Sequence, residues 1–204
     1  MVLSKRAFTL EHVKEGRIYQ FVALLENRPN ALSSAASVLA RNNLGALSGF
    51  HCIDSKNNWE EWSFFVDFSK AKVTPEQVSD ELSKEGIAKK VEFLQSEFPD
   101  IAIDEAHFPI VTGEGERAVF LRETTFRFAI EKLWSVFGPG AATILWEMGR
   151  AAGEYEAKMV RERLKLSQLD AVKFLLADKR ASGWYVGEMA DATTAPVKLT
   201  IRAV

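Results

Sequence analysis

The chain has 204 residues, 47% of them hydrophobic and 26% charged, with a formal net charge of −2 at neutral pH. That length accommodates one large domain or two small ones with buried cores, and the near-balanced charge gives no reason to expect nucleic acid or an anionic membrane as a partner. One cysteine, Cys52, excludes an intramolecular disulfide and a cysteine-based zinc site within one chain. The absence of a leader-like segment, and of any apolar run near the ~20 residues of a membrane span, leads to the expectation of a soluble cytoplasmic protein.

Ile18 to Leu25 is apolar, partly β-branched and aromatic, and of strand length. Pro29 ends it, and Asn30 suits the N-cap of a helix whose apolar positions Leu32, Ala35, Ala36 and Leu39 follow helical spacing. Asn42 and Asn43, then Gly45, signal a stop. A second strand is predicted from Leu44 to Ile53, a turn from Asp54 to Asn58, and a third strand from Trp59 to Phe68. Thr74, Pro75 and Gln77 read as a capping box opening a second helix, with Val78 and Leu82 on its buried stripe and Gly86 as its stop. Ile87 to Leu94 then reads as a fourth strand. The order is β-α-β-β-α-β, which predicts an α+β sandwich of one antiparallel sheet with two helices on one face over about 16–96.

The stretch from Leu25 to Ser48, with its strand, Arg28-Pro29-Asn30 turn, helix and second strand, resembles the opening of an ACT domain. The resemblance implies a regulatory module that binds an amino acid or similar carboxylate and pairs in dimers. The ligand positions it implies are Arg28, Pro29, Asn30, Ala31 and Leu32, with Asn30 standing where the family usually has Gly. A tight turn entering a helix leaves backbone N–H groups free to meet an anionic group. The same fold used only for dimerisation is the alternative.

Near Phe98 to Phe108 the pattern changes, and a second domain is expected over 106–204. Phe108 to Val111 and Ala118 to Leu121 flank the turn-rich Thr112 to Glu116, which predicts a β-hairpin. Thr124 is placed to cap a helix with the stripe Phe126, Ile130, Leu133 and Phe137, broken at Gly138-Pro139-Gly140. A long helix is predicted from about Ala141 to Leu164. One of its faces carries Ile144, Met148, Ala152, Tyr155 and Met159, and another carries Ala142, Trp146, Gly149, Gly153 and Ala157. Two glycines inside a helix weaken it by about 1 kcal/mol each relative to Ala, so either another helix or a ligand is expected to approach the backbone there. The charges from Glu156 to Lys165 alternate in sign and read as a solvated face. A third helix is predicted from Ser167 to Ala177, then strands from Trp184 to Met189 and from Val197 to Val204.

The run from Val119 to Gly153, marked by Gly-Pro-Gly-Ala-Ala at 138–142 and Gly-Arg-Ala-Ala-Gly at 149–153, resembles the 4-vinyl-reductase domain. The resemblance implies a mixed helix and antiparallel-strand domain that binds small molecules, hydrocarbons among them, and is related in fold to haem-nitric-oxide sensors and vesicle-tethering subunits. The residues placed to line an apolar or aromatic ligand are Phe126, Trp134, Trp146, Met148 and Tyr155, with Gly149 and Gly153 allowing close approach; plain helix packing is the alternative. Family members continue into a further helix and a cysteine-bearing segment beyond the last strand, so a second protomer is expected to complete this core as a homodimer.

His12, His51 and His107 lie in separate segments, which argues against a metal site. Neither a haem-ligating histidine in the helical core, nor a P-loop, dinucleotide fingerprint, catalytic triad or helix-turn-helix is visible. The reading is therefore a non-enzymatic, cofactor-free, small-molecule-sensing regulator acting on a separate output protein. A dimerisation scaffold without a ligand is the second reading, and a reductase-type enzyme the third.

Overall fold

The apolar strand β2 (Ile18–Glu26), buried at Ile18, Gln20, Phe21, Ala23 and Leu25, is one of the two central strands of the first sheet. A computed structural model describes residues 5, 7–54, 58–84, 87–98, 100–113, 115–184, 186–191 and 198–202, the last two stretches by their backbone alone. Flanking β2 in chain order are β1 (Leu10–His12), α1 (Ala31–Arg41), β3 (Ala46–Asp54), β4 (Trp59–Asp67), α2 (Pro75–Lys84), β5 (Ala88–Gln95) and β6 (Ile101–Ile103). Then come α3 (Glu123–Phe137), α4 (Gly140–Leu164), α5 (Gln168–Ala181), β7 (Val186–Asp191) and β8 (Lys198–Arg202). Residue contacts divide the chain into two units, Met1–Val119 and Phe120–Val204.

The first unit is an α+β sandwich. Its four-stranded sheet runs β3-β4-β2-β5 with every pairing antiparallel. Alternate residues of a strand face opposite ways. Phe21, Ala23 and Leu25 of β2 and Phe64 and Val66 of β4 therefore meet Ala35, Val38 and Leu39 of α1 and Val78 and Leu82 of α2. All are buried, and the Phe21 ring lies 5.6–5.9 Å from those of Phe64, Phe93 and Phe68. Each such ring taken out of water contributes roughly 1.5–3 kcal/mol.

The start of α2 and the end of α1 carry local capping chemistry. Thr74 N–H donates to Gln77 Oε1 (2.9 Å) and Gln77 N–H to Thr74 Oγ1 (3.4 Å), the capping box expected. Asn42 is the C-cap of α1, and its Nδ2 donates to Val38 O and to Glu81 Oε2 of α2, tying the two helices together. Gly86 and the turn residues 55–57 lie outside the described residues.

The opposite face of the sheet is covered by a ribbon the sequence does not announce. β1 and β6 pair antiparallel, Leu10 opposite Ile103, and Ala102 joins Ile18 and Phe65 in a second buried cluster with Phe8 and Val13 against it. Three-residue strands are too short to show alternation.

The expected hairpin at 106–123 is reduced to one bridge, Val111 to Arg117, closed by Thr112 N–H to Glu116 O (2.8 Å) and Ala118 N–H to Ile110 O (2.8 Å). Phe108 is 81% exposed and Val119 77%. A two-stranded hairpin with no surface to bury its apolar residues is marginal at best. Glu114 lies outside the described residues. Residues 106–119, grouped by sequence with the second module, belong by contacts to the first unit, because His107 is bound to its sheet.

In the second unit α4 neighbours both α3 and α5, and β7 pairs antiparallel with β8. The cap of α3 is Arg122, with no side-chain hydrogen bond, so Thr124 sits inside the first turn instead of capping it. Ser167 does cap α5, accepting from Asp170 N–H (3.2 Å), and the helix runs on to Ala181. Trp184 N–H closes back on Lys179 O (2.9 Å) and Gly183 has φ +85°, so the strand starts at Val186, not Trp184. Of the last predicted strand, residues 197, 203 and 204 lie outside the described residues.

Candidate functional site

Three places carry chemistry. The first is the turn between β2 and α1. Asn30 takes a left-handed backbone (φ +72°, ψ 1°), a region Asn tolerates better than most residues other than Gly. Its carbonyl accepts from Ser34 N–H (2.9 Å) and Ser33 Oγ (2.9 Å), while its side chain makes no capping bond. Ala31 N–H donates back to Arg28 O (3.2 Å). Ala31 is fully buried and Leu32 half-buried against the core, so of the five positions Arg28, Pro29 and Asn30 are the exposed ones. Arg28, about half exposed, lies 3.6 Å from the Glu26 carboxylate. The turn thus offers a guanidinium and a helix start without a side-chain cap, in competition with Glu26 for any incoming carboxylate.

The second place is the α3–α4 surface. Phe126 packs edge-on against Trp184 at 5.9 Å. Trp134, Trp146 (70%), Met148 (60%) and Tyr155 (62%) are exposed, and a Cβ added at Gly149 or Gly153 would meet nothing within 4 Å. Among the described residues, no ring contact joins Trp134, Trp146 and Tyr155 to one another. α3 buries no residue, and α4 buries only Ala141 and Val160. Arg150 is held on the same helix between Glu147 (2.7 Å) and Glu154 (2.7 Å).

The third place was missed by sequence reasoning. On the ribbon face of the sheet, His107 Nε2 lies 2.6 Å from Glu61 Oε1 and Nδ1 lies 2.7 Å from Asp104 Oδ1. Asp104 Oδ1 also accepts from Gln20 Nε2 (2.6 Å) and from Ala106 N–H (3.2 Å), and Gln20 Oε1 accepts from Glu105 N–H (3.0 Å). Gln20 is only 1% exposed. The hydrogen bond to Glu61, then that to Asp104, holds the His107 pKa above the ordinary imidazole value, against the lowering effect of burial. The Asp104–His107 spacing is visible in the chain, but Glu61 is 46 residues away, so no local signal joins them. Beside Glu61, a shallow cleft of about 260 Å³ is lined by Leu24, Cys52, Asp54 and Trp59, and Cys52 is exposed.

Among the described residues no group of three or more His, Cys, Asp or Glu side chains is arranged to hold a metal ion, and no helix is long and apolar enough to cross a membrane.

No protein-family profile matches this chain, and no curated protein matches it. Among solved structures, a formyltetrahydrofolate deformylase from Pseudomonas syringae is 14% identical over 40% of this chain, which spans 28% of that enzyme, with a TM-score of 0.35. The C-terminal domain of the MgtC protein from Mycobacterium tuberculosis is 15% identical over 43% of this chain and 95% of that domain, TM-score 0.33. Protein MK0293 from Methanopyrus kandleri is 14% identical over 96% of this chain and all of that one, TM-score 0.29.

Proposed function

We propose that this chain is a non-enzymatic regulatory protein that works as a homodimer, with the α3–α4 faces of two copies brought together around an apolar or aromatic ligand. The observation that carries this reading is the exposure of Trp134, Trp146, Met148 and Tyr155 on helices that bury almost nothing. The open space beside Gly149 and Gly153 would admit a partner helix.

The first unit fits the role of an ACT-like sensor module. Its strand and helix order is the one that resemblance implies, and the turn at Arg28, Pro29 and Asn30 presents a guanidinium and a helix N-terminus suited to a carboxylate. A separate output protein would then read the state of the dimer. A ligand-free scaffold is the second reading, favoured by the exposure of Trp134, Trp146, Met148 and Tyr155, with no ring contact among the described residues joining the three aromatic ones.

Sedimentation across a concentration series, with thermal unfolding against panels of amino acids and of apolar compounds, tests both. The expected mass is twice 22.8 kDa. A ligand at a hundredfold its Kd should add about 2.7 kcal/mol of stability. A dimer that no compound stabilises supports the scaffold, and a monomer at all concentrations overturns the assembly.

A further inference from the structure

We infer that residues 104–108 form a strap that the His107 imidazolium latches onto the sheet, and that the strap opens when the ring loses its proton. With both carboxylates ionised, the geometry calls for a charged ring. Both ring nitrogens lie within 2.7 Å of carboxylate oxygens, from Glu61 on β4 and from Asp104 within the strap. An ionised carboxylate only accepts hydrogen bonds, and a neutral imidazole has a single N–H to donate. A neutral ring would therefore set one nitrogen lone pair against a carboxylate in a half-buried place, where an unpaired polar contact is costly.

The rest of the strap hangs on the same point. Gln20, at the buried centre of the sheet face, donates to Asp104 and accepts from the Glu105 N–H, so the carboxylate that holds His107 is itself fixed from β2. The ring's other neighbours are Phe50 of β3, edge-on at 4.9 Å, and Phe8 at 6.2 Å, which is itself stacked on Phe65. Among the described residues, further titratable groups beside the latch are Cys52 and Asp54 of β3, which line the cleft next to Glu61, and Glu105 on the strap itself. From this latch the chain runs on through 109–122 to α3, so opening it frees the first part of the connecting segment.

The sign follows from the direction of the shift. The docked ring has a pKa above that of a free one, so the latch is fully present below about pH 6.5 and is lost as pH rises through the docked value. This device does not depend on the proposed dimer or on either proposed ligand.

The test is NMR on the full chain labelled at its histidine rings, titrated from about pH 5 to about pH 9. The His107→Gln spectrum identifies the His107 resonance among those of the three histidines. Amide exchange at Glu105 and Ala106, corrected for the intrinsic rate, reports docking. The expected result is a ring midpoint above 6.5, with the two amides losing protection over the same range, about tenfold per pH unit. Glu61→Gln, on a half-exposed side chain, should lower the ring midpoint and carry the amide midpoint with it, while exchange in β2 stays unchanged. A ring midpoint at or below 6.5, amide protection that is flat through the ring titration, or no response to Glu61→Gln would each overturn the proposal.

Discussion

Gly49 shows how single residues set the tolerances of the first unit. A Cβ at this position would sit 2.5 Å from Ser63 O and 2.9 Å from Phe64 Cβ, both on β4, where backbone and a core ring leave no room to yield. Gly49→Ala is expected to destabilise the protein by about 1–3 kcal/mol through overpacking, read as a lower urea midpoint at unchanged slope. Asn30 poses the opposite problem, a left-handed backbone with open surroundings. Asn30→Ala should lower stability by about 1 kcal/mol, because alanine keeps the Cβ that strains a left-handed backbone and loses the short polar side chain that lets Asn tolerate it, whereas Asn30→Gly, which removes the Cβ, should not. Thermal melts of the two variants side by side would separate these causes; equal losses would mean that the Asn30 side chain contributes in its own right. At the same scale His107 shows how a side chain that looks isolated in the sequence comes to lie between two carboxylates.

Among elements, α2 is the clearest case of local chemistry realised in the fold. The reciprocal Thr74–Gln77 bonds are in place and Val78 and Leu82 are fully buried. Thr74→Ala should cost about 1 kcal/mol, measured by chemical denaturation, since it leaves first-turn N–H groups without their partner. The segment 106–121 behaves in the opposite way. Its turn chemistry is present, but its flanks leave Phe108, Val111 and Val119 exposed, and among the described residues a single bridge, Val111–Arg117, forms. A turn fixes where a hairpin would bend, while a covered face decides whether its strands form. The helices of the second unit obey the same rule: their apolar periodicity is real, yet within one chain Ile130 and Leu133 are only half-buried and Phe126 and Phe137 are exposed.

On the scale of the whole molecule, the two units differ in how far they satisfy themselves. The first has a sheet covered on its helix face by α1 and α2 and, around Ile18 and Phe65, by the β1–β6 ribbon on the other. The second has helices that bury few residues and leave Trp134, Trp146 and Tyr155 exposed. If a second copy covers them, Gly149→Ala and Gly153→Ala should weaken the dimer by crowding the helix approach, seen as a higher dissociation constant in sedimentation. With the face free, the same changes would instead stabilise α4 by about 1 kcal/mol each through helix propensity. Trp146→Glu should shift the protein towards monomer and remove the concentration dependence of Tm expected of an assembling protein. A variant that dimerises as tightly as the parent would place the interface elsewhere.

The sequence by itself determined the first unit's β-α-β-β-α-β order, its turn at Pro29 and Asn30, its capping box and the two helix stripes that fill its core, because each is written in a window of a few residues. Propensity, capping and alternation act over that range, and burial on the sheet then agrees with them. Only the tertiary structure decided the β1–β6 ribbon, the fate of the 106–121 segment and the union of Glu61 with His107. Those depend on what surface lies opposite, and partners such as Leu10 with Ile103 or Glu61 with His107 are joined by chain folding across long separations that no local pattern records.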